Sequence, residues 1–219
     1  MEAQLHPVLP AGAPWAVRLD GVAFRTYTAR LAKPFDARLT AAVARTARDL
    51  LARFPLATAA YAQSDEVSLF FPATPSPAEM PYAGRLQKIV SVMASLASAH
   101  FNHHMRLAMR ESSVRTGDGQ AQTEGNSVSK ADENANPELN DLAVFDARAF
   151  STHSALGTAD ALLWRHALDG RRNAVSMVAA TRLSHAQMQG VSLAALAALL
   201  AGPPHGVGIR HRGLLCQPP

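Results

Sequence analysis

Apolar positions along the chain change period several times, and each change marks an element. From Ala37 to Phe54 the residues Leu39, Val43, Leu50 and Phe54 fall on one helical face. Pro55 closes that helix, because the residue before a proline avoids the helical region. A second helix is predicted from Tyr82 to about Met109, with Leu86, Ile89, Val90, Met93 and Leu96 at helical spacing. Trp15 to Asp20 reads as a strand. Leu56 to Ala62 and Val67 to Phe71 are two apolar runs separated by Gln63, Ser64, Asp65 and Glu66, the pattern of a hairpin. Ala143 to Phe150 predicts a further strand, and helices follow at roughly 158–168, 171–183 and 192–201. Residues 1–14 hold Pro7, Pro10 and Pro14 and read as an arm; Pro72 to Pro81, with four prolines, reads as a loop.

Taken in order, these elements read β-α-β-β-α-loop-β-α. That order predicts an α/β (α+β) fold: a ferredoxin-like antiparallel sheet with helices on one face, as in polymerase palms, and a helical C-terminal part. The chain divides into an arm (1–14), a core (15–110), an insertion (111–141), and the remainder of the core with a basic helical end (142–219). RNA-binding modules, nucleotide cyclases and polymerase palms share this architecture, so it does not by itself decide a function.

Composition sharpens the division. Residues 111–141 lack aromatics and are rich in Ser, Gly, Asn and Gln, with seven acids against two bases. This predicts a disordered acidic insertion of local charge −5. The whole chain of 219 residues carries +4, so the other 188 residues carry +9, a balance suited to phosphate-rich partners. A single cysteine, Cys216, excludes a disulfide framework and a Cys-rich zinc site. The longest apolar run, Val191 to Ala201, is too short for a bilayer. No cationic segment leads into an apolar one at the N-terminus, so a cytoplasmic protein without membrane attachment is the expectation. Lysine occurs only at 33, 88 and 130; the other 18 basic residues are arginines.

Two acidic positions carry candidate chemistry. Asp20 ends the first strand and precedes Gly21, while Asp65 and Glu66 sit at the hairpin tip. If the first strand lies beside the hairpin, Asp20 and Asp65 meet at one end of the sheet. Close carboxylates repel unless a cation or proton compensates. Magnesium suits them, because it takes hard oxygens from one or two carboxylates plus substrate phosphates. Two such ions, roughly 3.5–4 Å apart, would activate an attacking hydroxyl and hold a leaving pyrophosphate. The bland alternative is an ordinary Asp-Gly turn and solvated acids at a hairpin tip.

The wider context is more specific. "RLDG" at 18–21 is followed by "KPFDARL" at 33–39 and "AYAQSDEVSLFF" at 60–71. Then come Arg85 and Lys88, "FDAR" at 145–148, and Trp164-Arg165 with Asn173. In this order and spacing the series resembles the tRNA-His guanylyltransferase family and its tRNA-repairing relatives, over about residues 15–110 and 143–213. The resemblance implies a palm domain that extends RNA in the reverse, 3′-to-5′ direction. In that family a 5′-monophosphorylated tRNA is activated with ATP, and the 3′-hydroxyl of GTP or another incoming nucleotide then displaces AMP. It implies magnesium, two ions, held by Asp20, Asp65 and the Gly21 carbonyl, with Glu66 helping to place them. It implies nucleotide phosphates near Lys33 and Ser64, with Arg85, Lys88 and Asn173 at further binding positions. Tetrameric assembly is the family habit.

Two positions depart from the family pattern: Val22 stands where Arg is common, and Arg25 where His is common. Arg25 keeps a phosphate-binding donor but does not shuttle protons near neutral pH. Arg148 and Trp164 read as structural, a salt-bridged strand end and a packed aromatic. From Trp164 onward six arginines (165, 171, 172, 182, 210 and 212) face one acid, Asp169, so Arg165, Arg171, Arg172 and Arg182 are candidate RNA-backbone contacts. His100, His103 and His104 share a helix at spacings of three and four, but no neighbouring acid or Cys completes a metal site, so they read as exposed or packed side chains. Three alternatives to the reverse nucleotidyltransferase stand: a non-catalytic ferredoxin-like RNA-binding protein, a palm-type nucleotide cyclase, and an assembly protein that has lost catalysis.

Overall fold

The structure is a computed structural model that describes residues 7–115, 142–202 and 214–217. Its centre is β1 (Trp15–Val22), paired on one side with β3 (Glu66–Phe71) and on the other with β4 (Val144–Ser151). β2 (Ala59–Gln63) lies beyond β3, and β5 (Leu214–Cys216) closes that edge. The order is therefore β4-β1-β3-β2-β5, antiparallel throughout. α2 (Ala37–Arg53) connects β1 to β2, and α3 (Leu86–Arg115) connects β3 to β4. This interleaving of two β-α-β crossovers is the ferredoxin-like layer that the element order predicts.

Alternation along β1 separates two faces. Trp15, Val17 and Leu19 are buried in the main core with Leu69 and Phe71 of β3, Leu50 and Leu51 of α2, and Ile89, Met93 and Phe101 of α3. The Trp15 and Phe71 rings stack at 3.9 Å. Beneath the start of β4, Phe24, Phe101 and Phe145, with Tyr27 against Phe101, pack edge to face at 5.3–5.7 Å. Phe24 and Tyr27 bound the short helix α1 (Phe24–Tyr27) that follows β1. The other face of β1 presents Ala16, Arg18 and Asp20.

Past β4 the chain forms α4 (Ala155–Trp164), a π-helical turn (Arg165–Gly170) and α5 (Arg171–Arg182). The short α6 (His185–Met188) and α7 (Leu193–Ala201) follow. Val175, Val178, Ala179, Leu196 and Leu200 build a second small core between α5 and α7. Leu162 of α4 covers Ala16, Tyr61 and Phe70 on the outer face of the sheet. Helices therefore lie on both faces rather than one.

Several boundaries differ from expectation. α3 begins at Leu86 because Tyr82, Ala83 and Gly84 take left-handed backbone angles that no helix continues through. It runs past Met109 to Arg115, where Glu111 meets Arg45 of α2 at 3.7 Å, so the first residues of the predicted insertion are helical. The remainder of that insertion, 116–141, lies outside the described residues, as do residues 1–6 of the arm. The rest of the arm, from Pro7, is held by the backbone contacts of Leu9 to Gly84 and Gly12 to Thr74. The helix predicted at 158–168 starts earlier and gives way to the π-helical turn after Trp164.

Asn102 ties α3 to β4. Its amide accepts from Ala143 N–H at 3.0 Å and donates to Ala143 C=O at 2.7 Å, imitating a strand neighbour where β4 has none. Ser98 accepts the next available amide, from Phe145, at 3.0 Å. Asn102→Ala leaves two buried backbone groups unpaired and is expected to lower stability by about 2–4 kcal/mol in urea unfolding. An unchanged unfolding midpoint would remove Asn102 from this role.

Candidate active site at the carboxyl end of the central strand

Strand register assembles the site. Asp20 of β1 pairs with Glu66 of β3 on one side and Asp146 of β4 on the other. Directly paired residues project to the same face, so three acids lie side by side across three strands. One pair inward, Arg148, Arg18 and Ser68 form the next row on that face. Asp65 stands beside Glu66 in the two-residue turn that joins β2 to β3, where Ser64 takes a left-handed φ of 52°. The hairpin predicted from the sequence thus forms and brings Asp65 to the Asp20 end of the sheet.

Crowded acids leave an electrostatic trace. Burial pushes the Asp65 carboxyl up, a hydrogen bond from Ser64 opposes this, and the charge of Asp20 adds to the rise. Glu66 is pushed up to about 7, first by burial and then by Asp20, Asp169 and Asp65, against the pull of Arg18. Tyr61, on the neighbouring strand, rises to about 12 from burial and the Glu66 charge. Asp146 has one buried carboxylate oxygen, Oδ1, without a hydrogen-bond partner. Hard oxygen donors that repel one another, one of them unpartnered, fit a divalent cation of the magnesium type. The donor chemistry and the register support that fit; the carboxylate oxygens of Asp20, Asp65 and Glu66 do not converge within 4.8 Å as a group of three.

The π-helical turn brings a cation to the same row. Arg165 donates to Glu66 at 3.2 Å and also pairs with Asp169, which in turn pairs with Arg172 at 2.9 Å. His166 lies 3.1 Å from the Tyr61 hydroxyl, which donates to Gln63 at 2.8 Å. Arg165 is therefore turned inward onto the acids, whereas Arg171, Arg182 and Asn173 stand exposed on α5. Trp164 is half exposed, with the Arg165 guanidinium 5.0 Å from its ring. The packed aromatic expected there is corrected: the widened turn directs the tryptophan outward.

Three further predicted positions lie at or after the end of β1 in the chain. Gly21 pairs with Phe145, and a Cβ there would collide with the Phe24 ring, so glycine is required by packing. Arg25 lies exposed on α1. Lys33 is exposed on the loop before α2, its Nζ 3.4 Å from the Thr28 hydroxyl. That loop is pinned by Asp36, which caps α2 through Arg38 N–H at 2.9 Å, accepts from Ala32 N–H at 3.0 Å, and binds the Arg38 guanidinium at 2.6 and 3.0 Å. The Arg38 bond holds the Asp36 carboxyl far below the usual carboxylate range.

Arg85 and Lys88 are not brought to the acids. Ser98 of α3 is level with Phe145 and hence with Gly21. Arg85 precedes Ser98 by thirteen residues, or about 20 Å of helix. Both cations gather instead around Tyr82: Arg85 donates to its carbonyl at 3.2 Å, and Lys88 lies 5.5 Å from its ring.

The comparisons with known proteins bear on this geometry. The sequence profile of the Thg1 family, described as tRNAHis guanylyltransferase, matches residues 2–153. The chain belongs to the tRNAHis guanylyltransferase family. A bacterial tRNA(His) guanylyltransferase (Thg1)-like protein solved in complex with ATP shares 32% identity at a TM-score of 0.70, over 92% of this chain and 76% of that one. The complex with GTP gives 32% and 0.63, over 84% and 74%. The tRNA(His) guanylyltransferase of Saccharomyces cerevisiae, at 16% identity and a TM-score of 0.66 over 92% and 81%, shares the fold. An uncharacterized protein of Acanthamoeba polyphaga mimivirus is 30% identical over 174 residues. Those residues are 75% of this chain, which spans about half (54%) of that viral protein.

For a member of the tRNAHis guanylyltransferase family, the matched span ends at β4 and so includes the whole acid row. The motifs at 18–21 and 60–71 carry Asp20, Asp65 and Glu66. Asp146 lies inside the 145–148 motif, yet only strand pairing reveals that it adjoins Asp20. Asp36 likewise had no role in the sequence, although an Asp two positions before Arg38 at a helix start is a readable capping signal.

Asp36→Ala is expected to cost about 3 kcal/mol at neutral pH, through lost capping and an unpaired Arg38. A depressed carboxyl stabilises the fold above its ordinary pKa of 3.8 and loses that contribution as pH falls toward the folded value. Chemical denaturation at several pH values should therefore show the gap between wild type and variant narrowing below about pH 4. A gap independent of pH would contradict the ion-pair account.

Proposed function

We propose that this chain is a magnesium-dependent reverse (3′-5′) nucleotidyltransferase that adds guanylate or templated nucleotides to the 5′-end of tRNA-His or other tRNAs. The observation that carries the proposal is the register of Asp20 against Glu66, with Asp65 in the adjoining turn, in a chain 32% identical to a bacterial protein solved with ATP and with GTP. Asp20, Asp65 and the Gly21 carbonyl would hold two magnesium ions, with Glu66 placing them. When bound, magnesium supplies charge neutralisation and a lowered pKa at the attacking oxygen.

In this reading the chain's residues orient and neutralise. Ser64 in the β2–β3 turn, with Arg25 and Lys33 in the segment that follows β1, bind nucleotide phosphates. In the first step the RNA 5′-phosphate attacks the α-phosphorus of ATP and releases pyrophosphate. In the second the 3′-hydroxyl of the incoming nucleotide attacks that 5′-phosphate and releases AMP. Arg85 and Lys88, about 20 and 15 Å along the helix direction from the level of the acids, suit a tRNA contact or a triphosphate offered at a neighbouring subunit of a homotetramer. Asn173 suits a bound nucleotide, Arg171, Arg172 and Arg182 suit the RNA backbone, and Arg165 balances Glu66. The catalytic core comprises 15–110 with β4, and 142–219 adds the basic helical end. In this reading the protein acts on tRNA in the cytoplasm. No helix among the described residues is long and apolar enough to cross a membrane. A stacking RNA-binding module is disfavoured, because Tyr61 and Phe70 on the outer sheet face are buried beneath Leu162.

The test is extension of a 5′-monophosphorylated tRNA lacking its first nucleotide, with ATP, all four nucleoside triphosphates and magnesium. Templated lengthening is expected, lost by at least a hundredfold in Asp65→Asn. Guanylate added to tRNA-His alone would select the narrower activity. No extension of any tRNA, nor of a 5′-triphosphate primer, would overturn the proposal.

A further inference from the structure

On the side of the sheet away from the acid row, α2 and α3 bring together three side chains that the activity does not use. Asp49 of α2 meets His100 and His104 of α3: its Oδ2 lies 2.9 Å from His100 Nδ1 and 2.6 Å from His104 Nε2. The two imidazoles, four residues apart, are near parallel at 18°. Among the described residues this is the one group of three metal-ligating side chains whose donor atoms lie within 4.8 Å of one another. The acid that completes the group is some fifty residues away in sequence, so the histidine spacing alone did not disclose it.

We propose that Asp49, His100 and His104 form a binding site for a divalent transition-metal ion of the zinc type, separate from the magnesium-binding carboxylates. Two imidazole nitrogens and one carboxylate oxygen are a donor set for zinc, cobalt or nickel rather than for magnesium, which prefers oxygen alone. Bonds of about 2.0–2.2 Å in a tetrahedral site place donors about 3.3–3.6 Å apart, so small side-chain rotations from the present contacts suffice. Asp49 and His100 are each about one-third exposed, which leaves a fourth position for water. Arg45, one turn before Asp49 on α2, pairs with Glu111 across the same two helices. His104 is the most buried of the three, and its Nδ1 has no hydrogen-bond partner, so the ring's bonding capacity is spent on the Nε2 side. The site is level with Asn102, where α3 grips the entry to β4. A bound ion would therefore staple the helix layer behind the central strands.

The full-length chain, stripped by chelator and held in excess magnesium, is titrated with cobalt(II) alone. One equivalent should bind with the visible absorption of a four-coordinate ion, be displaced by zinc, and raise the melting temperature. His104→Gln and Asp49→Asn should each weaken binding by on the order of a hundredfold, and Asp65→Asn should leave it unchanged. His100→Gln, at the more exposed histidine, supplies the same readout if the buried variant fails to fold by circular dichroism. Absence of cobalt binding, or binding that survives His100→Gln and Asp49→Asn unchanged, would overturn the proposal and leave an ion-pair clamp only.

Discussion

Three carboxylates on neighbouring strands repel one another, and much of the surrounding structure answers that repulsion. Asp146, Asp20 and Glu66 are set abreast by strand register, with Asp65 in the adjoining turn. Burial and mutual charge push Asp65 and Glu66 toward protonation. Arg18, one pair inward on the same face, pulls Glu66 back, and Arg165 reaches it from the π-helical turn. The fold therefore stores unfavourable charge at one end of its central strand and sets cations from two elements, β1 and the π-helical turn, against it. A site of this kind gains most from a ligand that brings positive charge.

The scaffold makes this placement rigid. β1 is flanked on both sides and faces the main core with Trp15, Val17 and Leu19, so a slip in register would bury Arg18 and Asp20 among aromatic rings. Gly21 leaves room for the Phe24 ring, Asn102 seats β4, and Asp36 fixes the loop carrying Lys33. The serine and the acids come from separate segments that share one end of the sheet, because the β2–β3 turn lies there and the α3 crossover brings the start of β4 back to it.

Local pattern was enough for the parts that rest on local chemistry. Period-two and helical spacing located β1, α2, β3 and α3, and the Asp-Gly and Ser-Asp-Glu signals located the acids. What depended on tertiary contact was hidden. Asp146 acquires meaning only through its pairing with Asp20. Arg165 reads as one of several basic surface residues until the π-helical turn, invisible to any periodicity, aims it at Glu66. Asp49 looks like a solvated helix acid until α3 packs against it. The three left-handed residues Tyr82, Ala83 and Gly84 delay α3, and only Gly84 among them announces such angles in sequence.

In the proposed reading, Asp20 and its neighbours bind nucleotide through a hard divalent cation. The decisive measurement is calorimetric titration of GTP, with and without magnesium, on wild type and Asp20→Asn. Magnesium is expected to tighten GTP binding to the wild type by at least tenfold and not to do so in the variant. Equal affinity in all four titrations would contradict it.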